Sequence, residues 1–426
     1  MSFSLRLKSR NLKRGDVLSD RVILHCDCNS FFASVETAIH PEYKDVPMAV
    51  CGSVEDRRGI VLAKNELAKK YNIKTAETVF SAKKKCPALV IAKPHHKLYV
   101  EYSKKVNDIY KRYTDMVEPF GIDESWLDVT GSKKIFGDGL TIAKKISEDV
   151  KREIGITVSI GVSFNKVFAK LGSDYKKPDA ITVIDRENFK RIVYPLPVSS
   201  LLFVGQKTEL QLIQMGIRTI GELAESNPDF VFSKLGKNGQ QLHKYALGED
   251  NSPVSSGTDE DSKSISNGIT FKRNLISYDE YRTAIDFLSE EIGTKLRQKG
   301  VKASTVQITI RDEYFRTIQR QRAQNPPSDI GGEIAKTALD ILISEWRVGK
   351  PIRMLTVTAT GLLKSDMILK QLSIFEESDT EACSKSRNTE KTVDKIRQKY
   401  GESAIIKGAA LNTDIGIYAA PEESEE

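Results

Sequence analysis

Apolar and polar positions between residues 21 and 193 switch repeatedly between two periods. RVILHCD, ending at Asp27, is a near-continuous apolar run, as expected of a strand buried on both faces. SFFASVETAI, directly after it, has helical spacing. VPMAVCG and LVIAKP repeat the strand signal, GIVLA leads into helical NELAKKYN, and residues 97–113 are helical again. MVEPFGI and SWLDVT are two short apolar runs that suit a hairpin. A helix (TIAKKISEDVKREIG), a strand (ITVSIGVSF), a helix (NKVFAKLGSDYKK) and a strand (AITVI) follow, predicting an α/β block that ends near Val193.

The pattern then changes. Residues 195–250 hold short helical pieces broken by glycines and read as a small helical module. Residues 251–267, NSPVSSGTDEDSKSISN, are polar and serine-rich, the composition of a linker. Order returns over 268–364 as a β-α-β-β-α-β series, a separate domain. A tail, 365–426, carries the apolar QLSIF at 371–375, a basic helical piece (TEKTVDKIRQKYG) and an acidic end.

The 426 residues allow two to four domains at roughly 100–200 residues each. A net charge of +7 is a mild basic bias, compatible with nucleic acid or an acidic surface. The five cysteines are odd in number and lack framework spacing, which argues against a disulfide-stapled secreted protein. Cys26 and Cys28 share one strand face opposite Asp27 and read as small buried side chains. Residues 1–20 are basic without the apolar core of a signal peptide, a loose arm. No apolar run approaches the ~18 residues of a spanning helix. The expectation is a cytoplasmic protein with no membrane partner.

Two positions carry candidate chemistry. Asp27 ends an apolar strand where a helix begins, and such junctions are where α/β sheets place ligands. Asp123 and Glu124 are adjacent acids in the otherwise apolar MVEPFGIDESWLDVT. Like charges taken out of water are costly unless a cation lies between them. Three carboxylates suit Mg²⁺, which takes hard oxygen ligands. The plainer alternative for the adjacent acids is a surface hairpin with both solvated.

CDCNSFFASVE, FGIDESWLDV and SIGVSFNKVFAKLGSDYKKPD, in that order, resemble the signature blocks of Y-family (translesion) DNA polymerases, on the bacterial polymerase IV and polymerase V-type branch. The resemblance runs from about Arg21 to Leu363. It implies an α+β right-hand polymerase: a palm of mixed sheet and helices (21–31 and 79–185), small fingers (32–78), a helical thumb (186–250) and a β-α-β-β-α-β little finger (268–364). It implies an error-prone enzyme that adds deoxynucleoside triphosphates to primer-template DNA, acts as a monomer associated with the nucleoid, and is recruited by the bacterial sliding clamp.

Carried over by residue, Asp27, Asp123 and Glu124 match the family's catalytic metal ligands and Cys28 its main-chain ligand, for two Mg²⁺ ions. Phe32 matches the steric gate that bars a ribose 2′-hydroxyl. The backbone N–H groups of Ser30, Phe31 and Phe32 would cradle phosphate at a helix start, and Lys177 matches the triphosphate lysine. In the fingers, Glu66 and Lys69 stand where many relatives have a Tyr-x-x-Arg pair, so Lys69 offers a point charge without arginine's fork. Lys64 or Asn65 is an alternative contributor there. In the thumb, only Gly205 remains of the phosphate-binding Gly-x-Gly turn.

Lys272, Arg273, Arg297, Arg311, Arg316, Arg320 and Arg322 concentrate positive charge in the little finger. Their alternation along ITIRDEYFRTIQRQR predicts one basic sheet face for a DNA backbone. QLSIF resembles the sliding-clamp motif, with Gln371, Leu372, Ile374 and Phe375 as its contacts. A silent DNA- and clamp-binding scaffold is disfavoured because all three carboxylates are present. A nucleotidyl cyclase is disfavoured because it has no use for the basic domain or the clamp motif.

Overall fold

The computed structural model describes residues 21–55, 57, 59–255, 262–365, 379–401, 404–408 and 413–417, with the backbone alone over 379–384. Two compact units divide the chain, Met1–Cys51 with Val61–Gly257, and Gly52–Ile60 with Thr258–Glu426.

The first unit begins with β1 (Ile23–Cys28), buried at every position, and α1 (Phe31–Ile39). β2 (Met48–Cys51), β3 (Val61–Lys64) and β4 (Val90–Ala92) form a three-stranded sheet in the order β3-β2-β4. Between β3 and β4 lie α2 (Glu66–Lys69) and α3 (Val79–Lys85). The helix expected over NELAKKYN is thus a single turn. Asn65 caps it and also bonds the backbone of Tyr43, Val46 and Met48, so its amide is fully used by the fold.

α4 (His96–Tyr110) leads to the expected hairpin of β5 (Val117–Pro119) and β6 (Glu124–Asp128). Then come α5 (Lys133–Phe136), α6 (Gly139–Ile154), β7 (Val158–Ser163), α7 (Lys166–Tyr175) and β8 (Ile181–Ile184). The five-stranded sheet has the order β5-β6-β1-β7-β8, antiparallel except between β7 and β8. Leu24, Cys26 and Cys28 point to one core, shared with Tyr99 and Ile109 of α4 and Ile142 and Ile146 of α6. Ile23 and Trp126 point to the other face, against Ala169 of α7. α7 lies very close to the sheet because Gly161 of β7 has no side chain. A Cβ there would come within 1.9 Å of the Ala169 carbonyl oxygen. α8 (Phe189–Val193), α9 (Gln206–Gln214), α10 (Ile220–Glu225) and α11 (Pro228–Ala246) make the helical module.

The second unit is an antiparallel sheet in the order β11-β10-β12-β9, with helices on one face. Its elements are β9 (Ser264–Leu275), α12 (Tyr278–Gln298), β10 (Val301–Arg311), β11 (Thr317–Ser328), α13 (Gly331–Glu345) and β12 (Ile352–Lys364). β9 starts at Ser264, inside the stretch read as linker, because Ile265 reaches the core.

The tail departs further from expectation. α14 (Asp379–Tyr400) is a long helix fastened to α12 and α13 by charge. Arg297, only 6% exposed, meets Glu390 and Asp394, and Arg387 meets Asp329. Beyond α14, Ile415 and Ile417 are buried in this unit's core. No described helix is long and apolar enough to cross a membrane.

Candidate active site

The site forms where β1 and β6 run side by side. Asp27 and Glu124 are direct cross-strand partners in the antiparallel register, so both side chains leave the sheet on the same face. Asp123 lies just before β6, in the turn that joins it to β5, and its carbonyl accepts the Cys28 N–H at 3.0 Å. The turn solves the problem of adjacent acids: outside a regular strand, Asp123 need not point away from Glu124.

The face that carries Asp27 and Glu124 is the one covered by α7. The glycine contact at Gly161 brings that helix close, and two lysines come with it. Lys170 Nζ lies 2.6 Å from Glu124 and 3.5 Å from Asp27. Lys177 Nζ lies 2.5 Å from Asp27 and 2.8 Å from Asp174. Buried His25 lies 3.2 Å from Glu124 and 2.8 Å from Ser173. Sequence reasoning singled out Lys177 but missed Lys170, Asp174 and His25. The signal was available: Lys170 and Asp174 are i,i+4 on the helix that ends in the quoted YKK, and His25 shares Asp27's strand face.

The charges are divided unevenly. Burial and the like charges of Asp27 and Glu124 push the Asp123 carboxyl up to about 6. Burial opposes ionisation of Glu124 as well, but His25 and Lys170 beside it bring it down to about 2. Burial holds His25 below its ordinary value. Burial, then Asp123 and Asp27, push the Cys28 thiol far up, so only its main-chain carbonyl can serve a cation.

Among the described residues no group of three or more His, Cys, Asp or Glu side chains is arranged as a metal cage. The three carboxylates are neighbours in the fold, and the Lys170 ammonium lies between Asp27 and Glu124. The donor set nevertheless fits Mg²⁺: three hard carboxylates, one of them held up at about 6 by burial and by the like charges of the other two, with no thiolate competitor.

α1 starts directly beyond Asp27. Ser30 is its N-cap in the left-handed conformation (φ 50°), and its side chain makes no capping hydrogen bond to the first-turn amides. Phe31 is buried, whereas Phe32 is half-buried. Glu66 accepts a hydrogen bond from Ser30 at 3.2 Å and pairs with Lys69 at 2.5 Å. Lys69 is therefore tied to its own helix, while Lys64 Nζ bonds Thr75 at 3.1 Å. Gly205 heads α9, exposed and without a side-chain cap.

In the second unit the expected basic face is not a single face. Arg311 opposes Thr317, whereas Arg320 opposes Ile308 and Arg322 opposes Val306, both core residues. Arg320 and Arg322 therefore lie on the helix side of the edge strand, where they meet Glu345 at 2.9 Å and Asp340 at 3.9 Å. Arg297 is buried under α14. Arg273 is forked onto Asp414 and meets Glu280, and Arg316 pairs with Asp312. The open face is mostly neutral: Thr305, Gln307, Thr309 and Arg311 of β10, Gln319 and Gln321 of β11, Thr356 and Thr360 of β12. Lys272 is exposed on β9. Gln371, Leu372, Ile374 and Phe375 lie outside the described residues.

Comparison with known proteins gives a consistent answer. The impB/mucB/samB family matches residues 26–174, and its C-terminal domain matches residues 262–374. The chain is 48% identical to DNA polymerase IV of Acetivibrio thermocellus over 392 residues, covering 92% of this chain and 98% of that protein. It is 35% identical to DNA polymerase IV 2 of Bacillus subtilis over 402 residues, covering 93% and 96%. Among solved structures, a chimeric Y-family DNA polymerase aligns with a TM-score of 0.71 at 21% identity, covering 80% of this chain and 99% of the other.

Proposed function

We propose that this chain, which belongs to the Y-family DNA polymerases and is a DNA-directed translesion polymerase, performs its phosphoryl transfer at the Asp27–Glu124 strand pair. Two Mg²⁺ ions held by Asp27, Asp123, Glu124 and the Cys28 carbonyl would supply Lewis-acid stabilisation of the transferring phosphoryl group and acidify the primer 3′-hydroxyl. The chain's own groups do the rest. The amides of Ser30, Phe31 and Phe32 at the head of α1 receive the triphosphate. Lys177 exchanges its carboxylate partners for phosphate oxygens, and Lys69 adds a point charge. The Phe32 ring lies against the deoxyribose and bars a 2′-hydroxyl.

The duplex backbone is contacted by the open face of the second unit's sheet, through Arg311 and the neutral Thr and Gln rows, with Lys272 on β9; in the first unit, Gly205 at the head of α9 offers its amide to a DNA phosphate. The QLSIF segment at 371–375 recruits the sliding clamp, and the enzyme works on chromosomal DNA in the cytoplasm. The observation that carries this reading is the cross-strand pairing of Asp27 with Glu124 beside Asp123, met by Lys170, Lys177 and His25, next to the start of α1.

The test is primer extension with Mg²⁺ and single deoxynucleotides on intact and abasic templates, with Glu124→Gln alongside. Template-directed addition by the wild type, about a thousandfold slower in the variant, is expected. A wild type that binds primer-template yet extends no better than the variant would return the scaffold reading. For recruitment, the double change Leu372→Ala, Phe375→Ala should abolish stimulation by the bacterial clamp and leave clamp-free extension intact. Undiminished stimulation would remove the clamp from the proposal.

A further inference from the structure

Phe32 does not stand alone against the nucleotide. Its ring stacks on Tyr99 of α4, with centroids 4.1 Å apart and 13° between the planes. His96 meets it edge-on at 5.9 Å. Tyr99 is fully buried, and its hydroxyl donates to Glu36 Oε1. Glu36 sits on α1 one turn beyond Phe32 and is 1% exposed. The same oxygen lies 2.8 Å from Nδ1 of half-exposed His95, where α4 begins. Its other oxygen, Oε2, is buried without a hydrogen-bond partner among the described residues.

A buried carboxylate with one oxygen unmatched is an expensive way to fill space. What it supplies here is position. Stacking fixes the distance between two rings but leaves lateral sliding soft. Pinning the Tyr99 hydroxyl to Glu36 removes that freedom, and the pin belongs to the helix that carries Phe32. Ring and backing ring therefore share one frame. Discrimination by a clash of less than a bond length requires such a frame, because a ring that can slide admits the extra hydroxyl.

We propose that Glu36 is a positioning residue for sugar selection: it anchors Tyr99, and the anchored Tyr99 keeps the Phe32 ring from yielding to a ribose 2′-hydroxyl. Glu36 touches no substrate. The inference rests on the reading of Phe32 as the sugar gate.

The experiment measures kcat/KM for a deoxynucleotide and the matching ribonucleotide with the full chain, together with the melting temperature. In Glu36→Ala the deoxy-to-ribo ratio should fall about tenfold, mainly through faster ribonucleotide addition. Glu36→Gln keeps an acceptor for the Tyr99 hydroxyl and should return the ratio to within about twofold of wild type. Tyr99→Phe keeps the ring, loses the hydroxyl, and should behave as Glu36→Ala. A Glu36→Ala that lowers the melting temperature and both efficiencies equally, with the ratio unchanged, overturns the proposal. If Glu36→Ala fails to fold, an unchanged ratio in Tyr99→Phe overturns it instead. Phe32→Ala separates the two levels. A wild-type ratio there removes the gate reading itself, whereas a collapsed ratio there with intact ratios in Glu36→Ala and Tyr99→Phe removes only the anchoring role.

Discussion

Asp27, Asp123 and Glu124 in the first unit, and Glu390 and Asp394 in the second, are all acids drawn back from water, but different cations answer them. Around the first group stand Lys170 and Lys177, ammonium groups on flexible stems. Around the second stands one guanidinium. Arg297 is 6% exposed, lies 2.7 Å from Asp394 through Nε and 3.0 Å through Nη2, and meets Glu390 through Nη1. Glu390 also accepts the Gly331 N–H at 2.9 Å, at the start of α13. A guanidinium holds two acids in a fixed fork, whereas an ammonium is a point charge that can swing away. The second cluster is closed and complete. The first is balanced by groups that can swing away, as the proposed exchange of lysines for metal ions requires.

Glu124→Gln should slow single-turnover extension by about a thousandfold, whereas Glu390→Gln should leave it within about twofold. Similar losses in both would erase the distinction. Arg297→Met leaves two acids without their cation and should cost about 3–5 kcal/mol in urea unfolding of the second unit. Lys170→Met should cost about 1–2 kcal/mol without metal and less in saturating Mg²⁺. An equal cost with and without Mg²⁺ would make Lys170 as structural as Arg297.

Asp123 adds a pH signature. Its carboxyl titrates near 6 in the fold against 3.8 when unfolded, so the native state holds the proton longer and stability falls as pH rises between those values. Asp123→Asn should therefore stabilise the metal-free protein by up to about 3 kcal/mol above pH 6 and by almost nothing below pH 4, read as melting temperature in EDTA. The smallest effect separates the two faces of the second sheet. Arg311→Ala should reduce the salt slope of DNA binding by about 1, and Arg320→Ala should not change it.

Much of the proposed site was legible because strand ends and helix starts announce themselves locally. Asp27, the adjacent acids Asp123 and Glu124, and the amides ahead of Phe32 all follow from short-range pattern. The pairing of Asp27 with Glu124 needed the register, and the arrival of Lys170 needed the close approach of α7 at Gly161. Neither is a local property. The little-finger arginines were misplaced for a related reason. Alternation tells which residues of one strand share a face, but the five residues from Asp312 to Arg316 set the phase of β11 against β10. They put Gln319 and Gln321 on the same face as Arg311 and turned Arg320 and Arg322 to the helices. α14 was underestimated because it docks by ion pairs, and an apolar period cannot register those. Glu36 carries no local signal of its role, because its partner Tyr99 lies 63 residues away and only the fold brings the two together.

The burial of Ile415 and Ile417 sets a timetable for synthesis. The second unit lacks part of its core until residue 417 has left the ribosome, while the first unit is complete in sequence at Gly257. At about 5–20 residues per second, the intervening 160 residues (417 − 257) take roughly 8–32 s to make. During that interval the nascent chain can already carry a folded first unit, with the proposed catalytic carboxylates in place, while the sheet of the second unit is still unfinished.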